Sequence, residues 1–592
     1  MIVADDIGMG DLHSFYPSAT TSTPNLDQLA AQGMRFSRFY TDSTCSASRA
    51  ALLTGQNPAR LGFHVVARGI SSDTVTLAEW LHRQGYSTHH IGKWHVGELY
   101  AAAKPAAQGF DTSFGFMNQW FLQGPDENGE PILRHPVYEN PWLESETGDW
   151  RQYTGYLPDV LTENAINKIE KLATQKKPWF LYYATLLPHG PLHAPPNMQG
   201  DVSVATDDQK YRAMVNHLDS NIGTLLSALE KTGQRENTII VFLSDNGAPE
   251  KREGSNADLG GGKASYSEGG VRAPMLWVDN QKTLPGSLDE RAIYIADIFP
   301  TLAARIGAPL TFTTDGLDFN NLATFIRIKT RQLFWLSREN YSVLASDKSW
   351  RLTQGWTFRE LNMLQLLEIN AGEVADKSGW LWLYWTKVSN LKQNVRDWLE
   401  SVSRTAIRFE RITDTVGKVT GADFLRTPLK EWDFYVAVSL PENARDGQEQ
   451  LIAEQSGVWS MRYLPEARQL LVQMHGNEWR VPFDLSAQCT LIGLNADIYD
   501  KYTNLAPTIR PTQIRLSVNG KESARTAWQI ESLLHVDIAA PTWMGISAKG
   551  DQNWRGLLSR PLFYHRASFV GEWPYLVDES ALQRELCGQL PR

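Results

Sequence analysis

The sequence predicts an α/β protein that is followed by an all-β region. In the first half of the chain, short apolar runs alternate with helical patterns, which indicates a parallel or mixed sheet flanked by helices. From about residue 431 to 566 the pattern changes to short alternating strands with turn signals, which favours a β-sandwich. At about 150 residues per domain, a chain of 592 residues is expected to form two to four units.

Periodicity and stop signals locate the elements of the first half. Thr23 and Pro24 open one helix, Gly85 ends a second helix at 76–84, and apolar residues at helical spacing predict a third over 214–229. Apolar runs predict strands at 86–91 and 238–243. These helices and strands alternate as in an α/β sheet.

The later elements divide the rest of the chain. Residues 331–356 are aromatic-rich and strand-like, and the stretch from Trp380 through Trp382 and Trp385 to Trp398 has a helical pattern. Sandwich strands are predicted at 433–440, 457–463, 469–475 and 513–519. We therefore expect an α/β domain over 1–330, a smaller unit with a helical connector over 331–425, and the β-sandwich over 431–570.

Composition excludes several classes of protein. The formal net charge of -9 and the absence of Lys/Arg runs argue against a nucleic-acid-binding protein. No stretch approaches the roughly 18 consecutive apolar residues of a membrane-spanning helix. Three cysteines do not make a disulfide scaffold, and Cys489 and Cys587 could either pair or remain free thiols.

Polar residues follow two of the predicted buried strands. Asp5 and Asp6 come after the apolar residues 1–4, and Asp245 and Asn246 come after strand 238–243. The carboxyl ends of strands in such a sheet meet at one edge, where ligands bind. Their oxygen atoms suit Ca²⁺ or Mg²⁺, although either pair alone would more simply be a turn. Together they predict a metal site.

The run TCSASRAALLTG, from Thr44 to Gly55, places Ala47 and Arg49 two and four residues after Cys45. This spacing resembles the signature of the type I sulfatases, which belong to the alkaline phosphatase superfamily. Further segments typical of that family follow in the family's order at 3–6, 92–95, 188–192, 244–247 and 261–263. We therefore interpret the chain as a sulfatase.

The resemblance also implies a fold and a location. It implies an alkaline-phosphatase-like mixed sheet with a small antiparallel C-terminal subdomain, and the sandwich segments resemble a laminin-G or concanavalin-like jelly roll. Similar proteins have more apolar residues before the first strand, preceded by a secretion signal, so we expect that this chain is clipped. We expect a periplasmic or secreted protein, with a cytoplasmic location left open.

Formylglycine is the modification that the resemblance implies at Cys45. A maturation enzyme would oxidise this cysteine, and one hydroxyl of the hydrated aldehyde, bound to the metal, would attack sulfur. Cys45 would then join Asp5, Asp6, Asp245 and Asn246 around the metal. Ca²⁺ is favoured over Mg²⁺ because Ca²⁺ accepts an irregular, protein-rich shell. Ala47 replaces the commoner Pro, which leaves open whether a given host converts Cys45.

The resemblance assigns roles to further residues that carry charge or transfer protons: Arg49, Lys93, His95, His189 and Lys263. Lys93 and Lys263 would hold the sulfate, and His95 would serve as the base. His189 would contact the sulfate and donate a proton to the leaving group. Each residue alone has an ordinary structural interpretation as a packed or solvated side chain.

Three other histidines match the family less well. His193 is a candidate for the substrate pocket only, whereas His13 and His64 are interpreted as structural or peripheral.

The predicted function is hydrolysis of a sulfate ester, either of a sulfated carbohydrate or of an aryl sulfate. The twenty-one Trp residues and the sandwich favour a carbohydrate, because aromatic faces stack on sugar rings, although most of these Trp side chains belong in cores. Two alternatives remain. One is a phosphonate or phosphate ester hydrolase of the same superfamily, and the other is a catalytically silent glycan-binding protein.

Overall fold

The computed structural model describes the chain apart from residues 62–68, 71–73, 98–102, 118–136, 251–254, 337–339, 345–349, 356–363, 371–372, 377, 379–382, 404–407, 412–415, 421–430, 443–446, 456, 475, 484, 486–487, 498–511, 529–541, 550–553, 566–578 and 591–592. His64, Trp380 and Trp382 lie outside the described residues. Within the described part, no helix has the length and apolar character that crossing a bilayer requires.

Helices and strands alternate in the first part of the chain, as predicted. The helices are α1 (Pro24–Gln32), α2 (Cys45–Thr54), α3 (Leu77–Arg83), α4 (Leu157–Ala173), α5 (Asp207–Lys231), α6 (Glu268–Val271), α7 (Ile298–Arg305) and α8 (Leu322–Thr330). The strands are β1 (Ile2–Ala4), β2 (Met34–Phe36), β3 (Phe39–Tyr40), β4 (Ser87–Lys93), β5 (Thr112–Phe116), β6 (Trp142–Glu144), β7 (Trp150–Gln152), β8 (Trp179–Ala184), β9 (Ile240–Ser244), β10 (Arg272–Ala273), β11 (Met275–Val278), β12 (Ser287–Asp289) and β13 (Ile293–Tyr294).

A ten-stranded mixed sheet organises this part, with the strand order β12-β2-β11-β9-β1-β8-β4-β5-β6-β7. Its centre is parallel, because β1 pairs in parallel with β8 and β9, and β4 pairs in parallel with β8 and β5. The flanking pairs β9–β11, β2–β11, β5–β6 and β6–β7 are antiparallel. A smaller sheet has the order β10-β3-β13. The predicted mixed α/β sheet is confirmed.

Apolar layers cover both faces of the ten-stranded sheet. In β1, Val3 packs into one layer together with residues of α2, α3 and α7. Its neighbours Ile2 and Ala4 pack into the other layer with residues of α1, α4 and α5. This alternation follows from the two-residue period of a strand, and burial on both faces explains why the central strands are continuously apolar.

Element boundaries differ from the predictions by a few residues. Thr76 is the cap of α3 and accepts a hydrogen bond from the backbone N–H of Glu79, so the helix starts one residue after the expected position. Strand β4 continues through Lys93, which makes this lysine the last residue of a buried strand. Helix α5 begins seven residues before Met214, since Thr206 caps it.

The next part is a five-stranded antiparallel sheet with the strands in chain order: β14 (Leu333–Leu336), β15 (Asn340–Leu344), β16 (Trp350–Gly355), β17 (Leu364–Asn370) and β18 (Glu373–Asp376). Helix α9 (Trp385–Ser403) packs on it. Trp398 stacks on Phe334 with 4.8 Å between ring centroids, and Tyr384 lies 4.9 Å from Trp350. The predicted helix near Trp398 is confirmed over the described residues.

Two packed antiparallel sheets form the last part, as the short alternating strands predicted. The strands are β19 (Arg408–Arg411), β20 (Gly417–Thr420), β21 (Glu431–Ser439), β22 (Gln450–Gln455), β23 (Trp459–Leu464), β24 (Gln469–Met474), β25 (Asn477–Pro482), β26 (Thr490–Asp497), β27 (Thr512–Val518), β28 (Lys521–Trp528), β29 (Thr542–Met544), β30 (Leu557–Leu558) and β31 (Leu562–His565), followed by helix α10 (Glu579–Cys587). One sheet has the order β19-β20-β29-β22-β23-β24-β25, and the other has the order β28-β27-β26-β21-β30, with β31 beside β21.

The inner faces of these sheets share one core. Phe434 and Leu494 of one sheet pack into the same apolar cluster as Met461 and Val472 of the other, which makes the region a β-sandwich. Strands β19 and β20 precede residue 431, so the sandwich includes chain that lies before its expected start.

A disulfide ties the end of the described chain to the sandwich. Cys489, next to β26, is bonded to Cys587 at the end of α10, with 5.8 Å between their Cα atoms. Of the two alternatives that the sequence left open for these cysteines, the structure contains the pair. Leu582 and Leu586 of α10 pack with Tyr435 and Leu491 beside this bond.

Buried histidines in β4 predict a loss of stability in acid. The His90 side chain is fully buried, hydrogen-bonded to Ser113 Oγ at 2.8 Å, and burial lowers its pKa to about 3. The unfolded chain takes up a proton near pH 6.5 whereas the folded chain resists it, so stability falls as the pH drops below 6.5. In His90→Gln we expect this pH dependence to weaken, by up to about 1.4 kcal/mol per pH unit.

Denaturant unfolding at pH 7, 6 and 5 would measure the effect. The exposed His13, replaced in His13→Gln, is the matched control and should leave the pH dependence unchanged. Equal pH dependence in the wild type and His90→Gln would contradict the prediction.

Candidate active site and metal centre

The sequence-predicted site residues converge at the carboxyl edge of the ten-stranded sheet. Asp5 and Asp6 follow β1, Asp245 and Asn246 follow β9, and Lys93 ends β4. His189 lies in the segment after β8, and Cys45 is the first residue of α2. Sequence-distant residues meet here because parallel central strands all end at the same edge.

Acidic and amide oxygen atoms form the floor of the site. One ligand atom each from Asp5, Cys45 and Asp245 lies within 4.8 Å of the others, and the same holds for Asp5, Asp6 and His189. Asn246 donates from Nδ2 to Asp6 Oδ1 at 2.7 Å, which turns its own Oδ1 away from that bond. We refer to Asp5, Asp6 and Asp245 as the acidic cluster.

Unsatisfied oxygen atoms make this floor suitable for a cation. Among the described residues, Asp5 Oδ1, Asp245 Oδ1 and Asn246 Oδ1 are buried without a hydrogen-bond partner. A buried oxygen without a partner is costly, and a bound cation would satisfy several such atoms at once. Carboxylate and amide oxygens are the ligands of hard cations such as Ca²⁺ and Mg²⁺, so the residues fit such an ion.

Positive side chains surround the acidic cluster. Lys93 Nζ lies 2.6 Å from Asp5 Oδ2, Lys263 Nζ lies 2.6 Å from Asp6 Oδ1, and Arg49 Nη2 lies 2.8 Å from Asp245 Oδ2. We refer to Arg49, Lys93 and Lys263 as the cationic trio. Arg49 is one helical turn beyond Cys45, and its guanidinium also donates to the Lys93 carbonyl at 2.9 Å.

The pKa values of the carboxylates reflect this balance. Burial raises the pKa of Asp245, and the negative charge of Asp5 adds to the rise. For Asp5, burial is outweighed by Lys93 and the other positive neighbours, which hold its pKa well below the usual range. Two adjacent buried carboxylates thus compete to be the charged member of the pair. A divalent cation between them would favour ionisation of both.

Cys45 is held at the base of the site with its side chain buried. Its Sγ atom lies 3.4 Å from Lys93 Nζ. Burial raises the pKa of the Cys45 thiol, against the opposing effect of Lys263 and Lys93. The unmodified thiol is therefore a weaker nucleophile than an exposed cysteine at neutral pH.

The two histidines of the site are neutral and differ in exposure. Burial and the charge of Lys93 lower the pKa of His95 well below its usual value, and within the described chain neither ring nitrogen has a hydrogen-bond partner. Burial and Lys263 lower the pKa of His189 to about 4. His189 Nδ1 donates to the Gly190 carbonyl at 2.6 Å, which leaves Nε2 facing Asp6 at 3.9 Å as an acceptor.

Backbone strain occurs at two of the site residues. Asp6 and His95 have φ angles of 74° and 64°, in the left-handed region that residues with a side chain rarely adopt. Tyr211 Oη supports the Asp6 backbone by donating to its carbonyl at 3.1 Å. The sequence gives no sign of this role for Tyr211, because in α5 the residue lies three positions before Met214 and matches the apolar helical spacing.

Not every candidate histidine joins the cluster. The His193 ring stacks on Tyr138 and packs against Tyr156, with centroids 5.9 Å and 5.7 Å away. Tyr138 Oη in turn donates to the His189 carbonyl at 2.5 Å, so His193 contributes to the wall beside His189. His13 is exposed and its ring Nε2 bonds the Ala19 carbonyl.

Cationic side chains and a floor of buried, unpartnered oxygen atoms surround one buried cysteine, an arrangement that suits an anionic ligand. The family model described as Sulfatase matches residues 1–308, more than half of the chain. The chain belongs to the sulfatase family.

Relatives of known structure or name support this assignment. The chain is 35% identical to arylsulfatase A of Homo sapiens over 357 residues, which is 54% of this chain and 66% of that protein. It is 32% identical to N-acetylgalactosamine-6-sulfatase of Homo sapiens over 398 residues, 61% of this chain and 73% of that protein. The crystal structure of Ps i-CgsB in complex with k-i-k-neocarrahexaose matches with a TM-score of 0.53 at 29% identity, covering 62% of this chain and 84% of that chain.

Replacing one carboxylate of the acidic cluster tests the cation site. In Asp245→Asn we expect Ca²⁺ affinity to fall by at least about tenfold, because one charged ligand is lost. Titration calorimetry on protein stripped with a chelator measures the affinity directly. Asp258→Asn, which removes an exposed carboxylate nearby, should bind Ca²⁺ like the wild type. Unchanged affinity in Asp245→Asn would rule out this cluster as the site.

Proposed function

We propose that this chain hydrolyses a sulfate ester and releases inorganic sulfate. The observation that carries the proposal is the buried floor of unpartnered oxygen atoms, ringed by the cationic trio and adjoining Cys45 at the start of a helix. A sulfate ester is an anion that must be attacked at sulfur by another electron-rich group. Such a site needs concentrated positive charge together with a strong nucleophile.

Charge balance supports binding of an anion. The acidic cluster contributes -3 and the cationic trio +3, so the side chains sum to zero and a bound divalent cation would leave +2. We propose Ca²⁺ rather than Mg²⁺, held by the acidic cluster, Asn246 and the modified Cys45, because the ligands are irregularly arranged and come mostly from protein. When bound, the cation would polarise the sulfate oxygens and favour ionisation of the nucleophile.

Cys45, once oxidised to formylglycine, would supply a hydroxyl nucleophile through its hydrate. The high pKa of the unmodified thiol fits a residue that acts only after modification. Arg49 would fix the ligand Asp245, and Lys93 would hold oxygens of the hydrate and of the sulfate, since its Nζ already contacts both Asp5 and Cys45. His95, with two unpartnered ring nitrogens, would accept a proton from the hydrate.

Exposure indicates how the ester would lie in the site. The side chains of Arg49, Lys93 and Asp245 are fully buried, whereas Lys263 is 18% exposed and His189 is 14% exposed. The sulfate would therefore point inward and the alcohol outward past His189 and Lys263. A bound anion would raise the pKa of His189 from its low value, so Nε2 could take up a proton and pass it to the leaving oxygen.

A sulfated carbohydrate is the substrate class that we favour. Two of the relatives act on or bind saccharides by their names: an N-acetylgalactosamine-6-sulfatase, and a structure in complex with k-i-k-neocarrahexaose. An aryl sulfate is the simpler substrate suggested by the arylsulfatase relatives.

An extracytoplasmic location accompanies this proposal. The Cys489–Cys587 disulfide supports a periplasmic or secreted protein, because such bonds persist in oxidising compartments. The partners would be the sulfated substrate and the enzyme that matures Cys45.

Cys45→Ala is the decisive variant for the proposed reaction. We expect sulfate release to fall at least about a thousandfold, because the nucleophile is lost. Peptide mass measurement of the active wild type should show the aldehyde in place of the thiol. The matched control is the same chain produced without a maturation enzyme, which should be folded but inactive. Full activity in protein that contains only unmodified Cys45 would contradict the proposal.

The substrate panel should include sulfated saccharides, an aryl sulfate, and the matching aryl phosphate and phosphonate. Preferred release of sulfate from a saccharide supports the favoured substrate class. Preferred turnover of the phosphonate or phosphate would identify the other branch of the superfamily, and no turnover by fully matured protein would favour a silent glycan-binding protein.

We further propose that the β-sandwich is a separate folding unit that directs the enzyme to its substrate and supplies no catalytic group. Because β19 belongs to the sandwich, the boundary for a truncation lies between Ser403 and Arg408 rather than near residue 425. The truncated chain should retain aryl sulfate turnover and lose turnover of a sulfated polymer. Unfolding together with loss of both activities would show instead that the two regions form one structural unit.

A further inference from the structure

Glu268 is a buried carboxylate that the proposed reaction does not use. It lies five residues after Lys263 in the segment 260–271, which we call the Lys263 loop. Glu268 is 2% exposed, and its carboxylate receives a hydrogen bond from Tyr40 Oη at 3.1 Å and lies 3.5 Å from Arg272 Nη1. Its most direct partner comes from a different part of the chain.

That partner is Arg351 of β16, in the five-stranded sheet. Arg351 is completely buried, and its Nη2 atom lies 2.6 Å from Glu268 Oε1. Its Nη1 atom donates to the Tyr266 carbonyl at 2.5 Å, so one guanidinium holds both a side chain and the backbone of the Lys263 loop. Of these two contacts only the one from Nη1 is a hydrogen bond, whereas Nη2 and the Glu268 carboxylate form a buried charge pair.

The same guanidinium is linked to the segment before Cys45. Arg351 lies over the Trp335 ring, with 5.0 Å between its Cζ atom and the ring centroid. The Trp335 indole N–H donates to the Thr41 carbonyl at 2.7 Å, four residues before Cys45. The five-stranded sheet therefore contacts two of the segments that carry site residues.

The Lys263 loop is also bonded to the segments on either side of it. Ala264 N–H donates to the Ser43 carbonyl at 2.8 Å, and Lys263 N–H donates to the Ala248 carbonyl at 3.1 Å. Gly247 N–H donates to the Gly270 carbonyl at 3.1 Å. A shift of this loop would therefore move Lys263 relative to both Cys45 and Asn246.

We propose that Arg351 is a positioning residue, which through Glu268 and the Tyr266 carbonyl sets the place of Lys263 and thereby the affinity of the site for sulfate. The inference rests on the proposed function, because it takes Lys263 to contact the sulfate group. The proposal gives the five-stranded sheet an indirect part in the reaction, although the site as described contains no residue of that sheet.

Arg351→Met removes the charge and keeps much of the apolar stem. Arg331→Met is the matched control. Arg331 pairs with the buried Asp297 at 2.6 Å, so its loss also removes the charged partner of a buried carboxylate. The backbone N–H groups that donate to Asp297 belong to Tyr294 and Leu317, outside the Lys263 loop. Both variants are studied as the full chain loaded with Ca²⁺, and inorganic sulfate is the probe. Calorimetry gives the Kd for sulfate, and amide hydrogen exchange reports on residues 260–271.

We expect sulfate affinity to fall by about tenfold in Arg351→Met, with faster exchange in the Lys263 loop. In Arg331→Met the Kd for sulfate should stay within about twofold of the wild-type value, even if the melting temperature of this variant falls as much as that of Arg351→Met. Arg351→Lys keeps the charge, so it should fold and lose less sulfate affinity than Arg351→Met. It replaces Arg351→Met if that variant does not fold. Equal affinity and exchange in the Arg351 and Arg331 variants would overturn the proposal.

A double variant separates positioning from general destabilisation. In the Lys263→Ala background, adding Arg351→Met should weaken sulfate binding no further, because the group through which Arg351 acts is gone. An additional, additive loss would overturn the proposal. The exchange measurement does not depend on catalysis. If the proposed function is wrong, the wild type neither binds nor releases sulfate. If only the loop coupling is wrong, the wild type binds sulfate but Arg351→Met leaves exchange in the Lys263 loop unchanged.

Discussion

Neutralisation of buried charge at one edge of the ten-stranded sheet is the constraint on which the rest of the structure depends. The acidic cluster and the cationic trio are almost fully removed from water, so each charge needs a partner at short distance. The positive partners lie in α2, at the end of β4 and in the Lys263 loop, which are widely separated in the sequence. The sheet order and the placement of α2 must therefore be correct before any of these charges is stabilised.

Much of this arrangement could be predicted because it follows from local rules. Strand ends could be located from apolar runs, and parallel central strands bring their following residues to one edge, which placed Asp5 and Asp245 together. Arg49 lies four residues after Cys45, so the period of helix α2 brings its side chain back toward the same point. Family resemblance added His189 and Lys263, which lie in irregular segments without periodicity.

Contacts between distant segments away from this edge of the sheet could not be predicted. Arg351 has no feature that distinguishes it from a surface arginine in a strand, and its burial depends on packing against Trp335 and Glu268. The contact of Tyr211 with Asp6 could not be predicted either, since a tyrosine at a core position of α5 gives no sign that its hydroxyl reaches Asp6. The sandwich begins before residue 431 because the short strand β20 pairs with β29 and β19 pairs with β20, which the sequence pattern does not indicate.

The disulfide between Cys489 and Cys587 affects what a proteolytic cut in the sandwich would do. Its two cysteines are 98 residues apart and enclose several strands of the sandwich. A single cut by a protease anywhere between them would leave both pieces covalently joined. The fragments would stay linked until the disulfide is reduced, so a nicked chain would retain both parts of its sandwich.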